Sequence, residues 1–173
     1  MDTFLEQIVP IKLKGKKISL LVLIWILAVA FAAAFAFLST IFTSLLMIII
    51  IIIFGIFYAA FKLSQRLFVE YEYIITNDEL DVDKITAKAS RIRLITVDLK
   101  EVLDFGEYNK AFTETFDKTY NCGVEDCQRF YIKYKHKTQG KVLIILTPNE
   151  QMLEALNKQI PRLVNKVINK KYQ

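Results

Sequence analysis

From Ile18 to Phe61 the chain carries no charged side chain, and almost every residue is Leu, Ile, Val, Phe or Ala. Nothing else in the sequence restricts the fold as strongly. A single helix over this run would be about 66 Å long at 1.5 Å per residue, against a hydrocarbon core of about 30 Å, so one straight span does not fit. The polar cluster Ser39, Thr40, Thr43 and Ser44 divides the run, and predicts two membrane helices near residues 18–38 and 43–62 joined by a tight turn. At about −0.3 to −0.6 kcal/mol for each Leu, Ile, Val or Phe near a helix centre, either helix inserts unaided.

The flanks give the orientation. Lys12, Lys14, Lys16 and Lys17 crowd the entrance to the first span, and Lys62 and Arg66 follow the second. By the positive-inside rule both ends lie in the cytoplasm, which predicts a two-span protein of the cell (inner, cytoplasmic) membrane. Ala34-Phe35-Ala36 resembles a signal-peptidase site, but the apolar run before it exceeds a usual signal core and a second span follows, so a retained anchor is expected. Within the run there is no Asp, Glu, Lys, Arg or His, and a proton relay or ion path lacks its usual parts. Six alanines between Ala28 and Ala36 present a thin surface, and Gly55 with Ala59 forms a small-xxx-small pair. This predicts close packing between the two helices, with a seam between copies at Gly55 and Ala59 as the alternative.

Three parts follow: a basic N-terminal segment at 1–17, the hairpin at 18–62 and one small cytoplasmic domain at 66–173. The net charge of +5 divides into +2 before Ile18 and +3 after Phe61, where 16 acidic residues are interleaved with 19 basic ones. That pattern argues against nucleic acid as a partner. Two cysteines and one histidine are too few for a disulfide scaffold or an ordinary four-ligand metal centre, and no cofactor is implied.

In the N-terminal segment, Thr3 and Glu6 have capping-box spacing ahead of Pro10, which predicts a short amphipathic helical turn. After Arg66 the period changes to two. Val69, Tyr71, Tyr73 and Ile75 alternate with Glu70 and Glu72, and beyond Asn77-Asp78 the residues Leu80 and Val82 alternate with Asp81 and Asp83. This is a predicted hairpin with Glu72 opposite Asp83. A third strand, RIRLITV, projects Arg91 and Arg93 from one face. Cross-strand neutralisation accounts for the carboxylate row Glu70, Glu72, Asp81 and Asp83 and for both arginines; a cation site on the carboxylates and an anionic-lipid site at the arginines and the four N-terminal lysines are the alternatives.

A fourth strand is expected near 101–108, then a loop or weak strand over 109–121 and two strong strands in RFYIKYKHK and GKVLIILTP. A hairpin across Gly123–Asp126 would set Cys122 opposite Cys127, although a reducing compartment disfavours a permanent bridge. His136 alternates with Tyr134 and Ile132 and reads as a strand-face residue without a catalytic role. Thr147, Pro148 and Glu150 predict the start of a closing helix striped by Met152, Leu153, Leu156 and Ile160. After Pro161, the residues Leu163, Val164, Val167 and Ile168 predict a further amphipathic turn.

Six or seven antiparallel strands closed by one amphipathic helix resembles a pleckstrin-homology-like (PH-like) domain. The chain also resembles an uncharacterised family of small clostridial and other Gram-positive membrane proteins. The resemblance is carried by MDTFLEQIVP before lysines, the apolar hairpin, FVEYEYIITNDELDVDKI, LTPNEQMLEAL and IPRLV. It implies a membrane-anchored α+β chain, with a PH-like β-barrel or sandwich behind a two-helix hairpin, and it implies no activity and no catalytic residue. In lipid-binding eukaryotic relatives of this fold, headgroups sit near a basic loop between the first strands. Here that loop is Asn77-Asp78-Glu79, which moves the expectation toward a protein partner. The resulting expectation is a non-enzymatic binding or scaffolding module engaging a protein or an anionic headgroup. An oligomeric membrane component acting through its hairpin, or a small metal- or thiol-dependent enzyme using the carboxylate row or Cys122 and Cys127, are the alternatives.

Overall fold

The computed structural model describes residues 4–109 and 114–171, with side chains as far as residue 168. The chain divides into two compact units, one of Lys12–Val69 with Thr86–Ala89, the other of Met1–Ile11, Glu70–Ile85 and Ser90–Gln173.

The first unit is a helical hairpin of α1 (Lys16–Ile41), a 3-10 turn (Thr43–Leu45) and α2 (Leu46–Gln65). Both helices are apolar all round, so the seam between them is chosen by period and side-chain size. Leu21, Ile24, Ala28, Ala32, Phe35 and Ser39 are the more enclosed residues of α1, at spacings of three and four. On α2 Ile49, Ile53, Phe57 and Ala60 are among the more enclosed, and the Trp25 and Phe57 rings lie 6.5 Å apart. Ser39 and Thr40 stay inside α1, where a turn was expected, because each hydroxyl donates to a carbonyl one turn back, Ala36 or Phe37, at 2.7 Å. Such back-bonding hides a hydroxyl in an apolar setting. The break falls instead at Phe42, with φ −112° and ψ 69°.

One packing expectation is corrected. Gly55 and Ala59 are exposed, and a Cβ built on Gly55 would meet nothing within 4 Å. The neighbouring Ala60 takes the place against α1, because the buried positions of α2 follow Ile49, Ala60 and Ser64.

The second unit holds two four-stranded sheets that form a sandwich without closing into a barrel. The first runs in the order β1 (Phe4–Ile11), β2 (Val69–Thr76), β3 (Glu79–Thr86), β4 (Ser90–Asp98). After a 3-10 turn at Leu99–Glu101 come β5 (Val102–Glu107), β6 (Lys118–Asn121), β7 (Phe130–His136) and β8 (Gly140–Leu146), in spatial order β5-β7-β8-β6. Helices α3 (Glu150–Gln159) and α4 (Lys166–Lys171) complete the chain. Among the described residues, eight strands thus replace the expected six or seven.

The added strand is β1. The expected capping box over Thr3–Glu6 is overturned for its described part: Phe4–Ile11 is extended, with Val9 buried and Leu5 packed on the core. Pro10 is compatible with this because β1 is an edge strand and need not donate outward from that position. Gln7 fastens β1 to the start of α3, donating from Nε2 to the Thr147 carbonyl at 3.0 Å and accepting from the Asn149 N–H at 2.9 Å.

The core lies between the sheets. Tyr73, Ile75, Leu80 and Val82 are wholly buried, as the period-two pattern required, and Phe105, Ile132 and Ile144 stand in one row across β5, β7 and β8. Met152 and Leu156 of α3, with Ile160 just after it, plug it. The α3 cap differs from expectation. Asn149 accepts from the Met152 N–H at 2.8 Å, leaving Thr147 to other partners. Thr147 Oγ1 accepts from the Val124 N–H at 2.8 Å, and its own N–H donates to the buried Tyr73 hydroxyl at 3.3 Å.

A second correction concerns Cys122 and Cys127. Strand β6 pairs in parallel with β8, Tyr120 against Ile144, and does not neighbour β7. Residues 122–129 are therefore a crossing connection and not a hairpin. The expected amphipathic turn after Pro161 forms, with the Val164 N–H donating to the Pro161 carbonyl at 3.1 Å and Val164 and Val167 packed on the core, but Leu163 does not join its apolar face. The Phe105 N–H donates to the Val164 carbonyl at 3.0 Å and Asn165 bridges to Phe105, which docks this segment on β5 and turns Leu163 outward.

Candidate functional site

The charged row of the first sheet is the most ordered polar feature predicted by the strand pattern. Arg91 and Arg93 project from the exposed start of β4. Arg91 Nη2 reaches across β3 to Glu72 Oε1 at 2.7 Å, while Arg93 meets Asp81 at 3.0 Å and Asp83 at 3.1 Å. Asp81 also accepts from Thr96 Oγ1. Glu72 and Asp83 are buried, whereas both arginine side chains are 54% exposed. An exposed partner screens such pairs, so each adds little by itself. The Asp83 hydrogen bond raises the Arg93 pKa further. This row spends its cations on carboxylates of the same sheet.

The loop between β2 and β3 turns through Asn77, whose φ of 54° is in the left-handed region that asparagine tolerates. Asp78 is paired with Lys100 from the turn after β4, and the Leu99 N–H donates to the Asp78 carbonyl at 2.8 Å. The loop is held by its own acid. Lys12, Lys14, Lys16 and Lys17 belong to the helical unit, whereas Arg91 and Arg93 belong to the sandwich.

The thiols have different surroundings. Cys122 is buried and burial pushes its pKa up to about 12, which leaves it a poor nucleophile. Cys127 is exposed, and both are free. His136 Nδ1 accepts from the N–H groups of Thr138 and Gln139 at 3.2 and 3.3 Å, so the ring caps the β7–β8 turn. Among the described residues no three His, Cys, Asp or Glu side chains come together in a metal-holding arrangement.

One cluster was not anticipated. On the outer face of the second sheet, Asp104, Lys133 and Leu143 stand side by side in register across β5, β7 and β8. The Lys133 side chain is 11% exposed, with Nζ 3.4 Å from Asp104 and 3.2 Å from Glu114. Lys141 adds a contact to Glu114 at 2.9 Å and Lys166 one to Asp104 at 2.7 Å. The Lys141 and Lys133 hydrogen bonds hold the Glu114 carboxyl below its usual range, and the Asp104 bond raises Lys166. Alternation in RFYIKYKHK places Lys133 on this face, but Asp104, Glu114 and Lys166 are remote in sequence and only the sheet order brings them together.

Compared with known proteins, residues 1–166 match the model of a family described as a bacterial PH-like domain (DUF6106). No curated protein and no solved structure matches the chain.

Proposed function

Because the chain belongs to the bacterial PH-like domain family, we propose that it is a non-enzymatic, membrane-tethered module that binds or scaffolds a protein partner at the inner face of the cell membrane. PH-like domains are in general binding modules, and this one carries an acidic first loop and a self-neutralised arginine row. A surface of that kind suits a protein better than a headgroup crown. Lys12, Lys14, Lys16 and Lys17 then serve as generic contacts with anionic lipid.

One observation carries the membrane half of the reading. Two strongly apolar segments, Lys16–Ile41 and Thr43–Gln65, have only 6% and 11% of their most apolar windows buried inside the chain. A core helix of a soluble protein is covered by its own chain; these two need an apolar solvent. In cells, the exposed Cys127 should react with a membrane-impermeant maleimide only after the inner membrane is opened. A photocrosslinker replacing Ile92, which is 57% exposed on β4, should yield a discrete protein adduct. Labelling of Cys127 in intact cells would overturn the orientation, and adducts to lipid alone would overturn the choice of partner.

The outward-facing Gly55 and Ala59 favour a second reading, in which the hairpin associates with copies of itself. Close helix approach over small residues is the general basis for such contacts. Crosslinking between copies should then survive removal of residues 66–173 and disappear in Gly55→Leu. Unchanged crosslinking in that variant would remove this reading.

A further inference from the structure

Leu163 is 96% exposed, an unusual state for a leucine whose neighbours Val164 and Asn165 are docked on β5. Across from it is Leu103, 49% exposed, and between them opens a cleft of about 390 Å³. The polar wall of that cleft is the cluster of Lys133, Lys141 and Lys166 with Asp104 and Glu114, which leaves one positive charge in excess. Glu114 offers one oxygen to Lys133 and the other to Lys141. The two non-bridging oxygens of a phosphodiester would span two ammonium groups in the same manner. Glu114 is about half exposed (47%) and lies outside the strands and helices. A cationic cleft with free leucines at its lip matches a ligand that joins an anion to a hydrocarbon chain.

We propose that this cleft receives the phosphate of an anionic phospholipid, which displaces Glu114 from Lys133 and Lys141, while Leu163 and Leu103 enter the acyl border of the leaflet. The proposal rests on the membrane-tethered reading and adds to it a defined resting face for the domain. With the β5–β7–β8 face on lipid, the Arg91 and Arg93 row on the other sheet is left to the protein partner.

The test uses the full chain in lipid nanodiscs, with Cys127→Ser and a bimane fluorophore on Leu163→Cys. Nitroxide at the headgroup level of the lipid should quench the fluorophore in discs containing phosphatidylglycerol and much less in discs of phosphatidylcholine alone. The docked-to-undocked ratio should fall about fivefold for each of Lys141→Gln and Lys166→Gln. Glu114→Gln should raise it, and Lys166→Arg should retain it. Quenching that ignores lipid charge or the lysine variants overturns the proposal, as does protection of this position by a soluble acidic peptide but not by lipid. A chain that incorporates into discs without charge-dependent quenching loses only this inference; a chain that fails to incorporate loses the tethered reading as well.

Discussion

Replacing Gly140 with alanine is expected to destabilise the β7–β8 hairpin by about 2–3 kcal/mol. Gly140 opens β8 with φ +72°, and a Cβ there would collide with the Asp117 carboxylate. The left-handed conformation costs a residue with a Cβ about 1–2 kcal/mol. Asp117 cannot move away freely. Its Oδ2 accepts from the Lys141 N–H at 2.7 Å, and its own N–H donates to the Lys141 carbonyl at 2.9 Å, which clasps the segment before β6 to the start of β8. Displacing it loses a net hydrogen bond of about 1 kcal/mol. Amide exchange in β7 and β8 of the full chain should quicken accordingly. Adding Asp117→Ala removes the collision but not the backbone strain, so the double variant should regain only part of the protection. Unaltered exchange in Gly140→Ala would show that the turn readily adopts another conformation.

The helical hairpin was legible because its signal is one of composition: an uncharged apolar run from Ile18 to Phe61, interrupted near its middle by a polar cluster, reads as two long apolar helices. The β2–β3 hairpin was equally legible, since Tyr73, Ile75, Leu80 and Val82 keep period two on both sides of Asn77-Asp78 and are all wholly buried. Strand β1 was obscured by a coincidence of spacing. Thr3 and Glu6 imitate a helix start, whereas the fate of Phe4–Ile11 is decided by pairing with β2, some sixty residues away. The start of α3 was misplaced for a related reason: Thr147 and Asn149 are both good caps, and Thr147 is claimed by Val124 and Tyr73 from elsewhere in the fold.

The same limit applies to the polar clusters. Pairing of Arg91 and Arg93 with the carboxylate row follows from adjacent strands and was foreseeable from alternation. The Lys133 cluster depends on the β5-β7-β8-β6 order, with β6 parallel to β8, and no local pattern encodes that order. Charge alternation also failed to foresee that Glu72 would be enclosed. Its position in the strand is right, but an outer-face carboxylate was expected to reach water.

That enclosure leads to the second large effect: Glu72→Gln should stabilise the protein at neutral pH by about 1–3 kcal/mol. Glu72 Oε1 takes the Arg91 guanidinium, but Oε2 is fully enclosed and, among the described residues, meets no donor. The groups facing it are Glu6 on β1, Asp83 on β3 and Arg91 on β4. Burial raises the Glu72 pKa above the ordinary glutamate value, and the hydrogen bond with the Glu6 carboxyl raises it too, against the opposing pull of Arg91. A proton held on Glu72 supplies the donor that its enclosed oxygen otherwise lacks. The sign follows from linkage. With the folded pKa above the unfolded one, the folded state binds more protons between the two values, so stability is greatest below the unfolded pKa and falls as pH rises through the folded one. The side-chain amide introduced by Glu72→Gln would keep one oxygen for Arg91 and present an N–H to Glu6 at every pH. Thermal midpoints of the detergent-solubilised chain should therefore decline across that window for the natural protein and stay flatter for Glu72→Gln. A variant less stable than the natural protein at neutral pH would mean that the ionised Glu72–Arg91 pair outweighs the enclosed, donorless oxygen.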